Sequence, residues 1–402
     1  MSAHSNAMHA PVGLDHCPFM PTYGAPSVRI VRGEGCSLWD EDGKEYLDFL
    51  AGIAVVGLGH ANPEIADAIS EQARTLVHVS NLYGTVPGTD VAITLDRLLG
   101  GGGQIFFTNS GAEAIECSIK LARKWGGPGR FGIVSANGSF HGRTLGALHA
   151  TGQPAKWEGF QPLPEGFRHV EWNNLSALEG AIDSTVAAVL LEPIQGEGGV
   201  YPATADYFEG VRRLCDERGL LMIVDEIQTG LGRTGEWFGF QHFGVEPDVV
   251  TMAKALGNGM PIGACWARRE VAAAFQPGDH GTTYGGQPLA ASAARATLAI
   301  LERVNAPQLA ERAGAQLRHL LETIDGVVEV RGLGLLLAAQ LAEGIDAKSV
   351  AADLLQNGLI VNAVSPTALR FAPPLIVSET EIAQAVDLLA AVLADHLSKA
   401  PS

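Results

Sequence analysis

The chain has 402 residues, enough for two domains and a large core, and at 47% hydrophobic and 18% charged residues it reads as globular rather than disordered. Asp and Glu outnumber Lys and Arg by 44 to 27, a formal net charge of −17. That balance argues against a nucleic-acid or anionic-membrane surface, either of which wants a basic face, and leaves small molecules as the expected partners.

Taken from the start, "MSAHSNAMHAPVG" lacks the cationic and apolar regions of a secretory signal and is not expected to be one; its first ten residues are expected to be mobile. Residues 28–56 hold short apolar runs split by "RGEG" and "DEDG", turn signals between strands. From about residue 62 helix and strand alternate. "NPEIADAISEQARTL" offers Asn62 as N-cap and Pro63 at the first helical position. "GQIFFTN" reads as a strand, and "SGAEAIECSIKLARKW" opens as a capping box, Ser110 with Glu113 three residues on. "FGIVSA", "VAAVLLE", "LLMIVDE", "VVTMAK" and "IGACWA" are short apolar runs, several of them separated by helical segments such as residues 206–219. Near-continuous apolar strands between helices predict an α/β fold with a mostly parallel sheet buried on both faces.

The run "GLGLLLAAQLA" (332–342) is too short to span a bilayer, so no transmembrane helix is expected. After about residue 300 a helix, short strands and another helix predict a smaller α+β unit, which the N-terminal strands are expected to join. The expected division is a large domain over 57–297 and a discontinuous small one over 1–56 and 298–402. Five cysteines (Cys17, Cys36, Cys117, Cys215 and Cys265) are widely spaced with no CxxC. That is the usage of reduced thiols in a cytoplasmic protein, not of a zinc knuckle; no metal site is expected.

In open α/β sheets ligands bind beyond the carboxyl ends of the strands. "IFFTN" leads there into Ser110, Gly111 and Ala112, whose amides, hydroxyl and helix dipole suit a phosphate, although an ordinary capped helix looks the same. "VAAVLLE" ends at Glu192, and "LLMIVDE" ends at Asp225 and Glu226. "VVTMAKALGNGMPIGACWA" carries one charged residue, Lys254. A buried ammonium must be paired, neutralised or used; a solvated lysine at a strand end is the plainer alternative. Phosphate cradle, strand-end aspartate and lysine among apolar residues together suit pyridoxal 5'-phosphate. Its aldehyde takes a lysine, its pyridine nitrogen a carboxylate and its phosphate a helix N-terminus. Phe140 in "SFHGRT" could then cover the ring. The rival, a dinucleotide site at "GNGMPIG", has GxGxxxG spacing and opens no clear helix.

With these blocks in order, the sequence resembles the class III pyridoxal-phosphate aminotransferases, within them the acetylornithine/ornithine group, over roughly residues 18–395. The blocks are "RGEGCSLWDEDGKEYLDFLAGIAVVGLGH", "TNSGAEAIE", "FHGRT", "EPIQGEGG", "VDEIQTGLGRTG", "AKALGNGMPIGA", "HGTTYGG" and "LRFAPPL". The resemblance implies the transferase fold of type I and a homodimer with shared active sites. It makes Lys254 the Schiff-base lysine and proton carrier, Asp225 the partner of the pyridinium, and Gln228 a neighbour of the phenolic oxygen. Ser110, Gly111 and Ala112 would hold the phosphate together with Thr283 of the neighbouring subunit. Arg143 and Arg370 match the family's substrate-carboxylate arginines, and Glu197 the residue that masks the second. Tyr23 and the "GIAV" loop (52–55) resemble segments at the substrate entrance.

"GLGHANPE", "HGTTYGGQPLA" and "SNLYGTVPGTD" depart from the family's usual runs, the last near the expected substrate channel. The activity implied is transfer of the terminal amino group of N2-acetyl-L-ornithine to 2-oxoglutarate. Another member's substrate (ornithine, succinylornithine, succinyldiaminopimelate, 4-aminobutyrate), a semialdehyde aminomutase, or a non-catalytic binding protein on the same scaffold stays open at this point.

Overall fold

The apolar runs read as strands do form one sheet, because residues buried on both faces have no polar alternation to keep. The computed structural model describes residues 19–23 and 26–399; Cys17 and the first ten residues lie outside them. Seven strands lie in the spatial order Gly103–Thr108, Gly263–Arg268, Val249–Met252, Leu221–Asp225, Val186–Leu191, Gly132–Ala136, Phe167–Val170. Only Gly263–Arg268 runs against its neighbours, so the sheet is mostly parallel, as expected. Every residue of Gly132–Ala136, Val186–Leu191, Leu221–Asp225 and Val249–Met252 is buried.

Helix starts follow their caps. Asn62 Oδ1 accepts from the Glu64 and Ile65 amides at the head of Pro63–Thr75. Ser110 Oγ accepts from Glu113 N at 3.2 Å, heading Gly111–Gly126. The box does not close as predicted, however. The Glu113 carboxylate turns to Asn109, accepting from its backbone N and side-chain Nδ2 at 2.8 Å each. "RGEG" is also not all turn: Ile30–Glu34 runs through it, and the reversal falls at Gly35, where φ is 56°. Helices over Val86–Leu98 and Pro288–Arg303 form where none was predicted. Pro87 and Gly88 look like a turn, but a proline in the first helical turn loses no intrahelical bond, and Val91 and Leu95 then bury.

Two four-stranded sheets accompany the large one. Ile30–Glu34, Ser37–Asp40 and Glu45–Asp48 are joined by Leu359–Ile360, parallel to Glu45–Asp48, so the N-terminal strands pair with the C-terminal part of the chain. The other sheet is antiparallel, in the order Val327–Leu333, Leu336–Leu341, Ala368–Phe371, Asn362–Ser365. Among the described residues no helix is long and apolar enough to cross a membrane, and no group of His, Cys, Asp and Glu is placed to hold a metal ion.

Candidate active site

The strand ends converge on one cavity of about 380 Å³, lined by Ser110, Gly111, Ala112, Phe140, Arg143, Glu197, Asp225, Gln228 and Lys254. These come from five separate stretches of sequence. Thr283, Tyr23 and Arg370 are the three predicted site residues that do not line it; Arg370 reaches the cavity through its ion pair with Glu197.

At the head of Gly111–Gly126 the Gly111 and Ala112 amides have no preceding helical carbonyl to bond, which suits them to an anion. A Cβ added to Gly111 would stand 2.8 Å from Ile227 Cδ1, so glycine is needed for this close approach.

Asp225 and Glu226 are adjacent at a strand end, and strand alternation sends them opposite ways. Asp225 lines the cavity. Its Oδ2 meets His141 Nδ1 at 2.8 Å, and its Oδ1 accepts from Ile227 N at 3.0 Å. Glu226 turns away and accepts from Thr229 Oγ1, Gly239 N and Phe240 N, tying the strand end to the following loop. Burial pushes its carboxyl up to about 7 against those three donors. Glu192 accepts from Phe140 N at 3.0 Å and Gly196 N at 3.3 Å. Burial, with the Asp225 charge beside it, holds its carboxyl well above the usual carboxylate range.

Lys254 follows the strand Val249–Met252 by two residues and opens a short turn, Lys254–Gly257. Its φ of 41° is in the left-handed region, uncommon without glycine, and such strain collects at functional sites. Burial lowers its amine to about 8, with Glu197 opposing and Arg370 adding to the shift.

Arg370, on Ala368–Phe371, is 1% exposed and ion-paired with Glu197. It also donates to Gly196 O at 3.2 Å, and from Nε to Asn362 Oδ1 at 3.1 Å, while its Nη2 has no partner. Burial pushes the Glu197 carboxyl up, but Arg370, by charge and hydrogen bond, takes it below the usual carboxylate range. Gln228 Nε2 donates to Glu197 at 3.3 Å. Arg143 is exposed at the cavity mouth, its guanidinium 5.6 Å from the Phe140 ring centre. Val55 of the "GIAV" loop lines the cavity, and Ala51 to Ala54 all have positive φ. Thr283 is exposed and lines a second cavity of about 310 Å³ with Ser80, Tyr83 and Thr85. Tyr23 is 89% exposed.

His141 was missed. It is buried, braces Asp225, and stands between Phe140 and Arg143 in a block the sequence had already singled out. The donor set fits pyridoxal phosphate: an anion-binding helix start, a carboxylate braced from behind, a desolvated amine and an aromatic face within one cavity of suitable size. Lys254 would anchor the cofactor, Asp225 meet its ring nitrogen, and Ser110, Gly111 and Ala112 hold its phosphate. "GNGMPIG" leads into the strand Gly263–Arg268 and not into a helix, which removes the dinucleotide reading.

Fold and cavity together define a pyridoxal-phosphate enzyme of the type I transferase fold. The chain matches the family described as Aminotransferase class-III over residues 20–393, and it belongs to that family, whose members use pyridoxal 5'-phosphate. It is 46% identical over 387 residues to an acetylornithine aminotransferase of Caldanaerobacter subterraneus subsp. tengcongensis, covering 94% of this chain and 97% of the relative. It is 48% identical to one of Corynebacterium efficiens, covering 93% and 94%. Among solved structures it is similar to the ornithine aminotransferase of Toxoplasma gondii, with a TM-score of 0.90, 34% identity, and 94% and 93% of the two chains covered. It is also similar to the N-acetylornithine aminotransferase of Stenotrophomonas maltophilia, with a TM-score of 0.81, 37% identity, and 92% and 97% covered.

Proposed function

We propose that this aminotransferase moves the terminal amino group of N2-acetyl-L-ornithine to 2-oxoglutarate, giving N-acetylglutamate 5-semialdehyde and glutamate, a step of arginine biosynthesis. The observation that carries the reading is the ion pair between Glu197, which lines the cavity together with Lys254, and the buried Arg370 next to it. One site must serve two substrates. The donor's carboxylate lies far from its reacting amine; the acceptor's lies beside its reacting carbon. Arg143, exposed at the mouth, suits the distal carboxylate. Arg370, deep and paired, suits the proximal one, which displaces Glu197 by trading one charge-assisted pair for another. The names of the curated relatives support acetylornithine as donor.

When bound, pyridoxal phosphate supplies an aldehyde that carries the amino group and a ring that withdraws electrons from the carbon losing a proton. Lys254 Nζ, whose neutral form burial favours, would take that proton from the carbon bearing the donor's amine and deliver it to the carbon of the cofactor's aldehyde. Asp225, fixed by His141 and Ile227 N, presents its carboxyl group to the cavity, where it would partner the ring nitrogen.

The same reading makes the enzyme a homodimer in which Thr283 serves the neighbouring site. Its place outside its own cavity supports this, as do exposed Leu82, Tyr83, Val86, Ile93 and Tyr284 on the segments around it. Tyr23 is assigned to the substrate entrance on the resemblance alone. The division into 57–297 and 1–56 with 298–402 is supported by the pairing of Leu359–Ile360 with Glu45–Asp48. The cytoplasm is the proposed compartment, supported by four free, buried cysteines among the described residues. A donor panel with 2-oxoglutarate as acceptor tests the function: N-acetylornithine should have the highest kcat/KM. A clear preference for ornithine or 4-aminobutyrate, or product formed with no 2-oxoglutarate, would overturn it.

A further inference from the structure

Arg331 lies outside the cavity, yet it grips the loop that carries Glu197. Residues 196–200 connect Ile194–Gln195 to Tyr201–Pro202, two short paired strands. Within this loop Val200 has φ of 59°, and its amide bonds back to Gln195 O at 3.0 Å. A β-branched residue in the left-handed region is a true outlier, and such a conformation persists only where the surroundings over-determine it. Arg331 supplies part of that constraint. Its Nε donates to Gly199 O at 2.8 Å, its guanidinium stacks 4.3 Å from the Tyr201 ring centre, and its Nη1 bonds Gln340 and Glu329.

The sheet register explains why two arginines reach one loop. Arg331 is opposite Ala338, Ala338 is opposite Arg370, and Arg370 is opposite Asn362. Residues directly opposite share a face, so both guanidinium groups rise from the same side, with only a methyl group between them. Arg370 takes Gly196 O and the Glu197 carboxylate; Arg331 takes Gly199 O.

We propose that Arg331 is a positioning residue that sets the balance between the two substrates. It fixes the loop backbone, so that Glu197 leaves Arg370 by side-chain rotation and returns to the same place. Without that clamp the turn at Val200 relaxes, Glu197 is held less firmly at Arg370, and substrates with a carboxylate beside the reacting carbon gain. The proposal rests on the reading of Glu197 as the mask of Arg370.

The test uses the holoenzyme and single-turnover kinetics with N-acetylornithine and with glutamate, read from cofactor absorbance. The measured quantity is the ratio of their rate constants per unit substrate, glutamate over N-acetylornithine. Loss of a charge-assisted hydrogen bond predicts a rise of about tenfold in Arg331→Gln, and a smaller rise in Arg331→Lys, which keeps the charge but not the planar fork. In Glu197→Gln the ratio should rise by itself, and adding Arg331→Gln there should raise it no further. A purely structural role would slow both substrates equally and leave the ratio unmoved, overturning the proposal. If Arg331→Gln does not fold, Tyr201→Leu, which removes the half-exposed ring stacked on the guanidinium, should shift the ratio the same way; an unmoved ratio there also overturns it. An unmoved ratio in Glu197→Gln would defeat the mask itself. A shift there with none in the Arg331 and Tyr201 variants would defeat only the role of Arg331.

Discussion

Lys254 is a costly residue where it stands, with a left-handed backbone and an amine that burial lowers to about 8. Its neutral form is the useful one, since only a free pair of electrons attacks an aldehyde or takes a proton. Cofactor capture by the cofactor-free protein should therefore quicken as pH rises through about 8, far below the range of a solvated lysine; stopped-flow absorbance across pH measures this. The stability effect has the same sign. The folded amine binds fewer protons than the unfolded one from about pH 8 up to the ordinary lysine range, so its contribution to stability rises with pH across that window. Lys254→Met should accordingly raise the melting temperature of the cofactor-free protein more at pH 7 than at pH 10. Asp225→Asn keeps an acceptor for Ile227 N but removes the charge, and should lower kcat on the order of 10²-fold or more, about 3 kcal/mol, with the melting temperature nearly unchanged. An activity within a few-fold of the parent would assign the ring nitrogen to another group.

The elements place these residues by rules that are partly local. Gly111 sits where the helix Gly111–Gly126 meets Ile227, and Gly111→Ala would put a Cβ 2.8 Å from Ile227 Cδ1. Overpacking of that kind costs about 1–3 kcal/mol, here by shifting the helix start that holds the phosphate. Cofactor retention should fall about tenfold or more and recover when Ile227→Ala is added; equilibrium dialysis of both variants checks it. The strands, Asp225 and Lys254 were legible because a run of buried residues and its end are written in consecutive letters. His141 and Arg331 were not, since their partners stand 84 and 132 residues away and only folding brings them together. Glu226 looked like half of an acidic pair until strand alternation turned it toward Gly239 and Phe240. Val86–Leu98 was hidden by Pro87 and Gly88, which punctuate a loop and open a helix equally well.

At the scale of the whole molecule, the site is assembled from two parts of the fold. The large sheet brings Lys254, Asp225 and the phosphate cradle, and the small antiparallel sheet brings Arg370 against Glu197. In the proposed homodimer Thr283 serves the neighbouring subunit's site. Mixed Lys254→Ala and Thr283→Ala subunits should form hybrid dimers with one site lacking both groups and the other intact, so activity should climb above either parent after exchange. No recovery, with exchange demonstrated, would return Thr283 to its own chain. The central claim is that one cavity alternates between a terminal amine and an α-keto acid. Single-turnover spectra of the holoenzyme test it most directly. N-acetylornithine alone should discharge the aldehyde absorbance of the cofactor, and 2-oxoglutarate added afterwards should restore it with one equivalent of glutamate formed. Absorbance unmoved by N-acetylornithine, or restored without 2-oxoglutarate, would contradict the account.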